Sequence, residues 1–430
     1  MKPTPISEIL EGKKEGKIVK IRGWIYRTRS SGGISFVVIR DSTGIIQTAV
    51  KKDNVQEKHF EDSTKALIES AVIIIGTVKK DSRAPTGWEI QASEFDVLHF
   101  SEVFPISKDQ STEFLLDVRH LWIRSQTLTA AMKVKATVLK AFREFFEKKK
   151  YWETTPPIIT ASPAEGGSTL FSFNYFGEKA FLSQSAQLHL EALVFSLEKV
   201  YAITPSFRAE KSRTIKHLTE YWHIEGEEAH QSFEELLAFL EEMVCFVVKA
   251  VVKERSAELK ILGRDIEELK KINPPFKRLT YADALKKLEK NGIKLEHGQD
   301  FGVPEEEALT KDLEKPLMIT NWPKGSKAFY MKENEDGKTL NAVDVLAPKG
   351  FGELIGGSER ETDVNKLIEK LKKENADLKA YAWYLDLRRF GSVQHSGFGL
   401  GTERLVRWIC GLDHIRDATP FPRTINRAYP

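Results

Sequence analysis

Residues 204–228, TPSFRAEKSRTIKHLTEYWHIEGEE, read as two strands joined by a polar, mostly basic loop. The first strand ends in Phe207-Arg208-Ala209-Glu210, and the second carries Tyr221, Trp222, His223 and Ile224 into an acidic run. On an extended strand Arg208 and Glu210 share a face. One fixed cation and one fixed anion can then reach a single ligand, the guanidinium gripping phosphate through its paired donors. Lys211, Arg213, Lys216 and His217 fill the loop and offer a flexible cover for further phosphate oxygens. In isolation such a hairpin is a surface turn with solvated charges. Its meaning depends on what accompanies it.

A chain of 430 residues has room for two or three domains and a sizeable core. Its 65 basic residues nearly balance 62 acidic ones, for a formal net charge of +3. Residues 1–58 depart from that balance, with twelve Lys/Arg against six Asp/Glu, a mild basic bias compatible with nucleic acid. The two cysteines, Cys245 and Cys410, lie in apolar helical patterns without metal-ligand spacing, as expected of a reducing compartment. No signal-peptide core or membrane-length apolar run occurs, so a cytoplasmic protein without a membrane partner is expected.

From about Lys17 to Phe100 short apolar runs alternate with turn residues, which predicts a small β-barrel of the OB type over 1–102. Phe36 and Gln47 fall on consecutive strands of it, with Arg27 and Arg29 nearby. An exposed Phe can stack a splayed base and a Gln can read its edge. Spacing alone favours the barrel core for Phe36. Residues 103–126 read as a hinge, and 127–430 as a second domain. That domain opens on an amphipathic helix near 127–150, with Met132, Val134, Val138, Phe142 and Phe146 on one face. Pro156 and Pro157 prevent its continuation.

Next come Glu165, able to bind an ammonium, and the glycines 166 and 167. A strand over AFLSQSAQLHLEAL is expected to place Ser183, Ser185 and Gln187 on one face before the chain turns helical. Residues 232–272 read as charge-laced helix, and about 255–320 as a helical insertion with a helix near 281–291. Further on, Asp344 and Glu353 offer hard oxygen ligands suited to Mg2+, although a lone pair nine apart is a weak signal. Finally HSGFGLGTERL opens a helix after Gly399 and Gly401, with Arg404 in its first turn, an arrangement suited to phosphate.

In this order the pieces resemble the class II aminoacyl-tRNA synthetases of the aspartate/asparagine/lysine subgroup, archaeal in type. Motif 1 corresponds to the long helix ending at Pro157, motif 2 to FRAE through HIEGE, and motif 3 to GFGLGTERL. The resemblance covers nearly the whole chain and implies an α+β fold: an N-terminal OB barrel, then an antiparallel sheet flanked by helices. It also implies a homodimer built through motif 1, with ATP and tRNA as substrates and Mg2+ as cofactor. Arg208 would hold the ATP α-phosphate and the amino-acid carboxylate, Tyr221 would stack on adenine, Glu210 would meet its edge, and Arg404 the γ-phosphate. His217 and Glu353 complete the expected ATP site, and Asp344 and Glu353 the metal site. Gly356 stands where an archaeal-type aspartate enzyme has a serine ligand. Glu165, Ser185 and Gln187 would hold the α-ammonium. Arg27, Phe36 and Gln47 match the anticodon readers, which reverses the core reading of Phe36.

The amino acid is read from one pocket. Aspartyl enzymes resemble each other in carrying a Lys where this chain has Leu190 and an Asp where it has Glu225. Without that Lys a buried aspartate side chain is under-compensated. Glu225 can accept from an amide NH2 and would repel a carboxylate, while Arg360 can donate to the amide oxygen. L-Asparagine and tRNA(Asn) are therefore the expected substrates. The alternatives are aspartate, with relaxed specificity, an asparagine synthetase paralogue, and a non-catalytic relative. Those paralogues lack the OB domain, and loss of the motif arginines would mark a non-catalytic chain.

Overall fold

The computed structural model describes residues 1–161, 170–211 and 214–430. Two compact units, Met1–Leu115 and Leu116–Pro430, divide the chain, and the division falls inside the segment expected to be a hinge.

The first unit is a closed five-stranded barrel in the order β1-β2-β3-β5-β4 (β1 Ile18–Ser31, β2 Ile34–Arg40, β3 Ile45–Lys51, β4 Ala71–Lys80, β5 Trp88–His99). Alternation along the strands sends Ile21, Val37, Ile39, Ile46, Val50, Ile74, Ile90 and Phe95 inward. In register, Arg29 faces Phe36 and Phe36 faces Ala49, while Arg27 faces Val38 and Val38 faces Gln47. Cross-strand partners share a face. Arg27, Arg29, Phe36 and Gln47 therefore stand together on the outside of the barrel.

The second unit is built on an eight-stranded sheet, β12-β13-β14-β15-β16-β11-β10-β6. Its strands are β6 (Trp152–Glu153), β10 (Lys199–Phe207), β11 (Glu220–Ala229), β12 (Lys277–Thr280), β13 (Leu317–Pro323), β14 (Thr339–Ala347), β15 (Gly352–Glu359) and β16 (His395–Gly401). The intervening strands β7 (Ile159–Thr160), β8 (Ser172–Tyr175) and β9 (Glu178–Leu182) form a separate three-stranded sheet. The long sheet is antiparallel except at its two edges, where β12 runs parallel to β13 and β6 to β10.

The expected long helix spans Gln126–Lys148 and is capped by Ser125, whose hydroxyl accepts from the Leu128 N–H. With the Phe233–Glu254 helix it covers one face of the sheet, burying Val134, Val138, Phe142, Phe146, Leu240, Val244 and Val248 over Ile224, Val343, Ile355 and Phe398. The region 255–320 is no independent lobe. Leu259 and Leu269 enter this main core. The Tyr281–Lys290 and Val303–Thr310 helices bury Tyr281, Leu288 and Leu309 against Leu317, Ile319 and Trp322 of β13.

The stretch after β9 differs from the expected strand. β9 ends at Leu182 and Gln187 is already the first residue of a helix, Gln187–Leu197. Serine hydroxyls make the turn between: Ser183 Oγ donates to the Ser185 carbonyl (2.8 Å) and Ser185 Oγ accepts from the Gln187 N–H (3.1 Å). Such local side-chain bonds compete with a strand ladder.

Phe146 sits at the centre of the core, its ring stacked on Tyr201 at 4.1 Å and in contact with Phe145, Tyr151 and Phe398. Truncation to Ala removes these contacts at a site without room to collapse. Phe146→Ala is expected to cost about 3–5 kcal/mol, read as a loss of denaturant stability in the second unit.

Candidate active site

Three neighbouring strands and two loops enclose a solvent-open cleft of ≈ 890 Å³. One part of its wall is basic, made by Arg208, Lys216, His217 and Arg404; Ser185, Gln187, Glu225 and Arg360 line another. Thus residues drawn from four separated stretches of sequence converge on one space.

The arrangement follows from β11 and β16. With a period of two, His223, Glu225 and Glu227 project from one face of β11, opposite Gly401, Gly399 and Gly397 of β16. A Cβ on Gly397 would lie 2.0 Å from the Glu227 carboxyl carbon, and one on Gly399 would lie 2.7 Å from His223 Nε2. Gly397 and Gly399 therefore make room for the Glu227 carboxylate and the His223 imidazole on the neighbouring strand, a requirement the phosphate reading of the GFGLG motif did not include. Glu227 and Arg360 form a buried two-pronged pair, Nε–Oε2 3.1 Å and Nη2–Oε1 2.5 Å. Burial pulls the Arg360 guanidinium toward deprotonation, but Glu227 and Glu191 outweigh it and raise its pKa. Arg360 Nη1 also donates to Ser358 Oγ (2.8 Å). Glu225 is buried and accepts from Ser185 Oγ and from the Ala186 N–H (2.8 Å).

On the basic side, Arg208 follows β10 and is anchored by its N–H to the Thr219 carbonyl (3.0 Å), with Glu210 Oε1 3.8 Å from its guanidinium. Lys216, half-buried, bonds Glu306 of the Val303–Thr310 helix at 2.7 Å to both carboxylate oxygens. Arg404 donates to Glu353 Oε2 (3.0 Å). Burial pushes the Glu353 carboxyl up, yet Arg404, Lys327, Lys216 and Arg208 outweigh it and hold it at about 2. Asp344 is bonded to Lys327 (2.8 Å), which also reaches Asp300 (3.0 Å). Tyr221 meets His223 edge-on, ring centres 5.5 Å apart.

Several expected residues occupy other surroundings. Leu190 is fully buried with Ala186, Val194, Val200 and Ala202 and does not line the cleft. On the Gln187–Leu197 helix it is Gln187 and Glu191, four apart, that share a face. Glu210 lines neighbouring pockets with Arg208 and Thr219 rather than the cleft itself. Glu165 lies outside the described residues, as does Arg213 of the loop. On the barrel, Phe36 is half-buried with the Arg29 guanidinium 4.7 Å above its ring, and Gln47 is buried with Nε2 donating to Glu89 Oε2 (2.7 Å). Sequence reasoning overlooked Glu227, Glu306, Lys327 and Glu403. Glu403 is buried and joins Lys135 Nζ (2.5 Å) to the Trp222 N–H (3.0 Å). Glu227 could have been found, since it lies two beyond Glu225 on the same strand face.

Residues 111–425 match the class II tRNA synthetases for D, K and N, and residues 19–98 an OB-fold nucleic acid binding domain. An asparagine–tRNA ligase of Thermococcus gammatolerans is 50% identical over 97% of both chains, and one of Thermoplasma acidophilum 47% identical over 99% of both. The chain belongs to the asparagine–tRNA ligases. Asparaginyl-tRNA synthetase of Pyrococcus horikoshii, solved with asparaginyl-adenylate, superposes with a TM-score of 0.96 at 46% identity, covering 100% of each chain. Cleft and fold thus belong to a ligase of class II architecture.

Two outcomes follow from the cleft's geometry. In Gly397→Ala the new methyl collides with the Glu227 carboxyl, and a fall in Tm of several degrees is expected together with weakened amino-acid binding. His217 is lowered to about 4 by burial and by Arg404, Lys216 and Arg208. The unfolded chain then binds the extra proton between pH 6.5 and 4, so His217 removes stability as pH falls through that window. His217→Gln is expected to lose less stability than the parent over the same range, by at most about 3 kcal/mol, in paired denaturation curves.

Proposed function

We propose that the cleft forms asparaginyl-adenylate from L-asparagine and ATP and passes the asparaginyl group to the 3′ end of tRNA(Asn), with the roles that follow. The asparagine carboxylate attacks the α-phosphorus in line and pyrophosphate leaves. A terminal ribose hydroxyl of the tRNA then attacks the adenylate carbonyl; the ester forms, the hydroxyl proton goes to solvent and AMP leaves. No enzyme nucleophile takes part.

Arg208 bridges the α-phosphate and the carboxylate, so that it stabilises charge building on the phosphoryl oxygens. Arg404, at the start of its helix, meets the γ-phosphate, and Tyr221 stacks on adenine while Glu210 and His217 border the nucleotide. Ser185 and Gln187 hold the α-ammonium. Glu225 accepts from the side-chain NH2 and Arg360 donates to the amide oxygen. The observation that carries this reading is the shared cleft wall: the Arg208/Arg404 end and the Glu225/Arg360 end face one space. An aspartate there would set a second carboxylate against Glu225 with no added cation, a repulsion that disfavours it.

Asp344 and Glu353 fit a magnesium ion. Atoms of both, Oδ1 and Oε1, lie within 3.8 Å of the place a Gly356 Cβ would take, so two hard donors border one small space. Among the described residues no group of three or more potential protein ligands gathers there or elsewhere, which leaves further positions to phosphate oxygens and water. When bound, Mg2+ would neutralise phosphate charge and orient the polyphosphate. The outer barrel face with Arg27, Phe36 and Gln47 is the proposed anticodon reader. Exposed Trp152, Ile158 and Ile159, after the long helix, support a homodimer through that segment. Among the described residues no helix is long and apolar enough to cross a membrane, and we place the enzyme in the cytoplasm.

ATP–pyrophosphate exchange tests the reading directly, with asparagine and aspartate side by side and no tRNA. Exchange with asparagine at least 10³-fold above aspartate is expected, and equal exchange with both would refute the Glu225/Arg360 assignment. Arg208→Ala is expected to lower exchange by about 10²-fold or more with an unchanged Tm; near-parental exchange would remove Arg208 from the chemistry.

A further inference from the structure

Beneath the amino-acid end of the cleft lies a polar cluster with no assigned part in the reaction. Its centre is Glu191, fully buried one turn along the helix from Gln187. Its Oε1 accepts from Gln187 Nε2 (3.0 Å) and from the Tyr384 hydroxyl (2.9 Å). Its Oε2 accepts from Arg388 Nη2 (2.5 Å), lies 2.8 Å from the same hydroxyl and 3.0 Å from His395 Nε2. Arg388 is itself fixed by Nε to the Glu361 carbonyl (2.9 Å). A carboxylate tied at both oxygens cannot rotate, and an ionised one can only accept. Burial opposes its charge, but Arg388 and His395 outweigh it and hold the carboxyl well below its ordinary range.

A primary amide has one accepting and one donating end, and the bonds around it decide which way each faces. Gln187 must turn its NH2 toward Glu191. Its Oε1 is then the end left for the cleft that Gln187 lines. An ammonium needs an acceptor there, and an NH2 in that place would repel it.

We propose that Glu191 is a positioning residue that fixes the Gln187 amide with its carbonyl oxygen toward the α-ammonium of the amino acid. The inference rests on the reading that Gln187 holds that ammonium. It moves the weight of the helix from Leu190, which is core, to the charged residue beside it.

The test compares calorimetric affinities of the full-length enzyme for L-asparagine and for succinamate, which keeps the amide and the carboxylate but lacks the α-ammonium. In Glu191→Gln the neutral side chain can donate or accept, so Gln187 is free to flip. The preference for asparagine over succinamate is expected to fall about tenfold, while succinamate affinity itself changes little. Tyr384→Phe removes a different bond to Glu191, so it is expected to lower Tm and leave the preference intact. Gln187→Ala separates the two layers of the argument. If it lowers the preference and Glu191→Gln does not, the positioning role is wrong. If neither lowers it, the assignment of Gln187 is wrong and the inference goes with it. Should Glu191→Gln not fold, the paired change Glu191→Met with Arg388→Met removes both buried charges together, and the same fall in preference is expected.

Discussion

Everything in the cleft depends on how one strand pair accommodates charge. β11 sends His223, Glu225 and Glu227 into the interior of the second unit, and β16 answers with glycines at the paired positions. Glycine in a strand forgoes packing and raises the entropy cost of folding. Here that cost is offset by the large aromatic and aliphatic core on the opposite face of the same strands, where Ile224, Phe398 and Leu400 are buried. One face of the sheet supplies stability, and the other is free to hold carboxylates that a packed strand would exclude.

Glu227 among them, and carboxylates from neighbouring elements, are held by pairing. Glu227 is bound to Arg360, Glu306 to Lys216, Glu353 to Arg404 and Asp344 to Lys327. A buried charge without a partner is costly, and one held by a geometrically fixed partner is rigid. The pairs serve as a scaffold that keeps these cations in position. Glu306, which holds Lys216, comes from residues 255–320, so that region helps hold the basic wall instead of standing apart from it. The thiols of Cys245 and Cys410 take no part; burial raises them to about 11 and about 12.

Much of this was legible in the chain because it is periodic or local. Alternating apolar runs identified the barrel, and the helical repeat of Val134, Val138, Phe142 and Phe146 identified the long helix with its buried face. Arg208 and Arg404 were found because each sits beside a strand or helix end whose sequence signature is short. The turn at Ser183–Ala186 was misread because serine hydroxyls bonding their own backbone leave no periodic trace. Phe36 was ambiguous for a related reason: alternation says that a residue faces one side, not which side is the inside. That choice is made when the five strands close.

By itself the sequence determined which elements form, their order, and the residue types available for phosphate and amide recognition, since those follow from local propensity and side-chain chemistry. Only the tertiary structure decided which charges meet. Gln187 and Glu191 are neighbours on one helix, but Tyr384, Arg388 and His395 lie 193, 197 and 204 positions beyond Glu191, and nothing local in any of these stretches marks them as partners. Leu190 and Glu191 are adjacent in the chain, yet the helix turns one into the apolar core and the other into the buried polar cluster beneath the cleft. The physical reason is that helical geometry rotates each successive side chain by about 100°. Which of those directions is apolar or polar depends on strands and helices packed against it from distant parts of the chain.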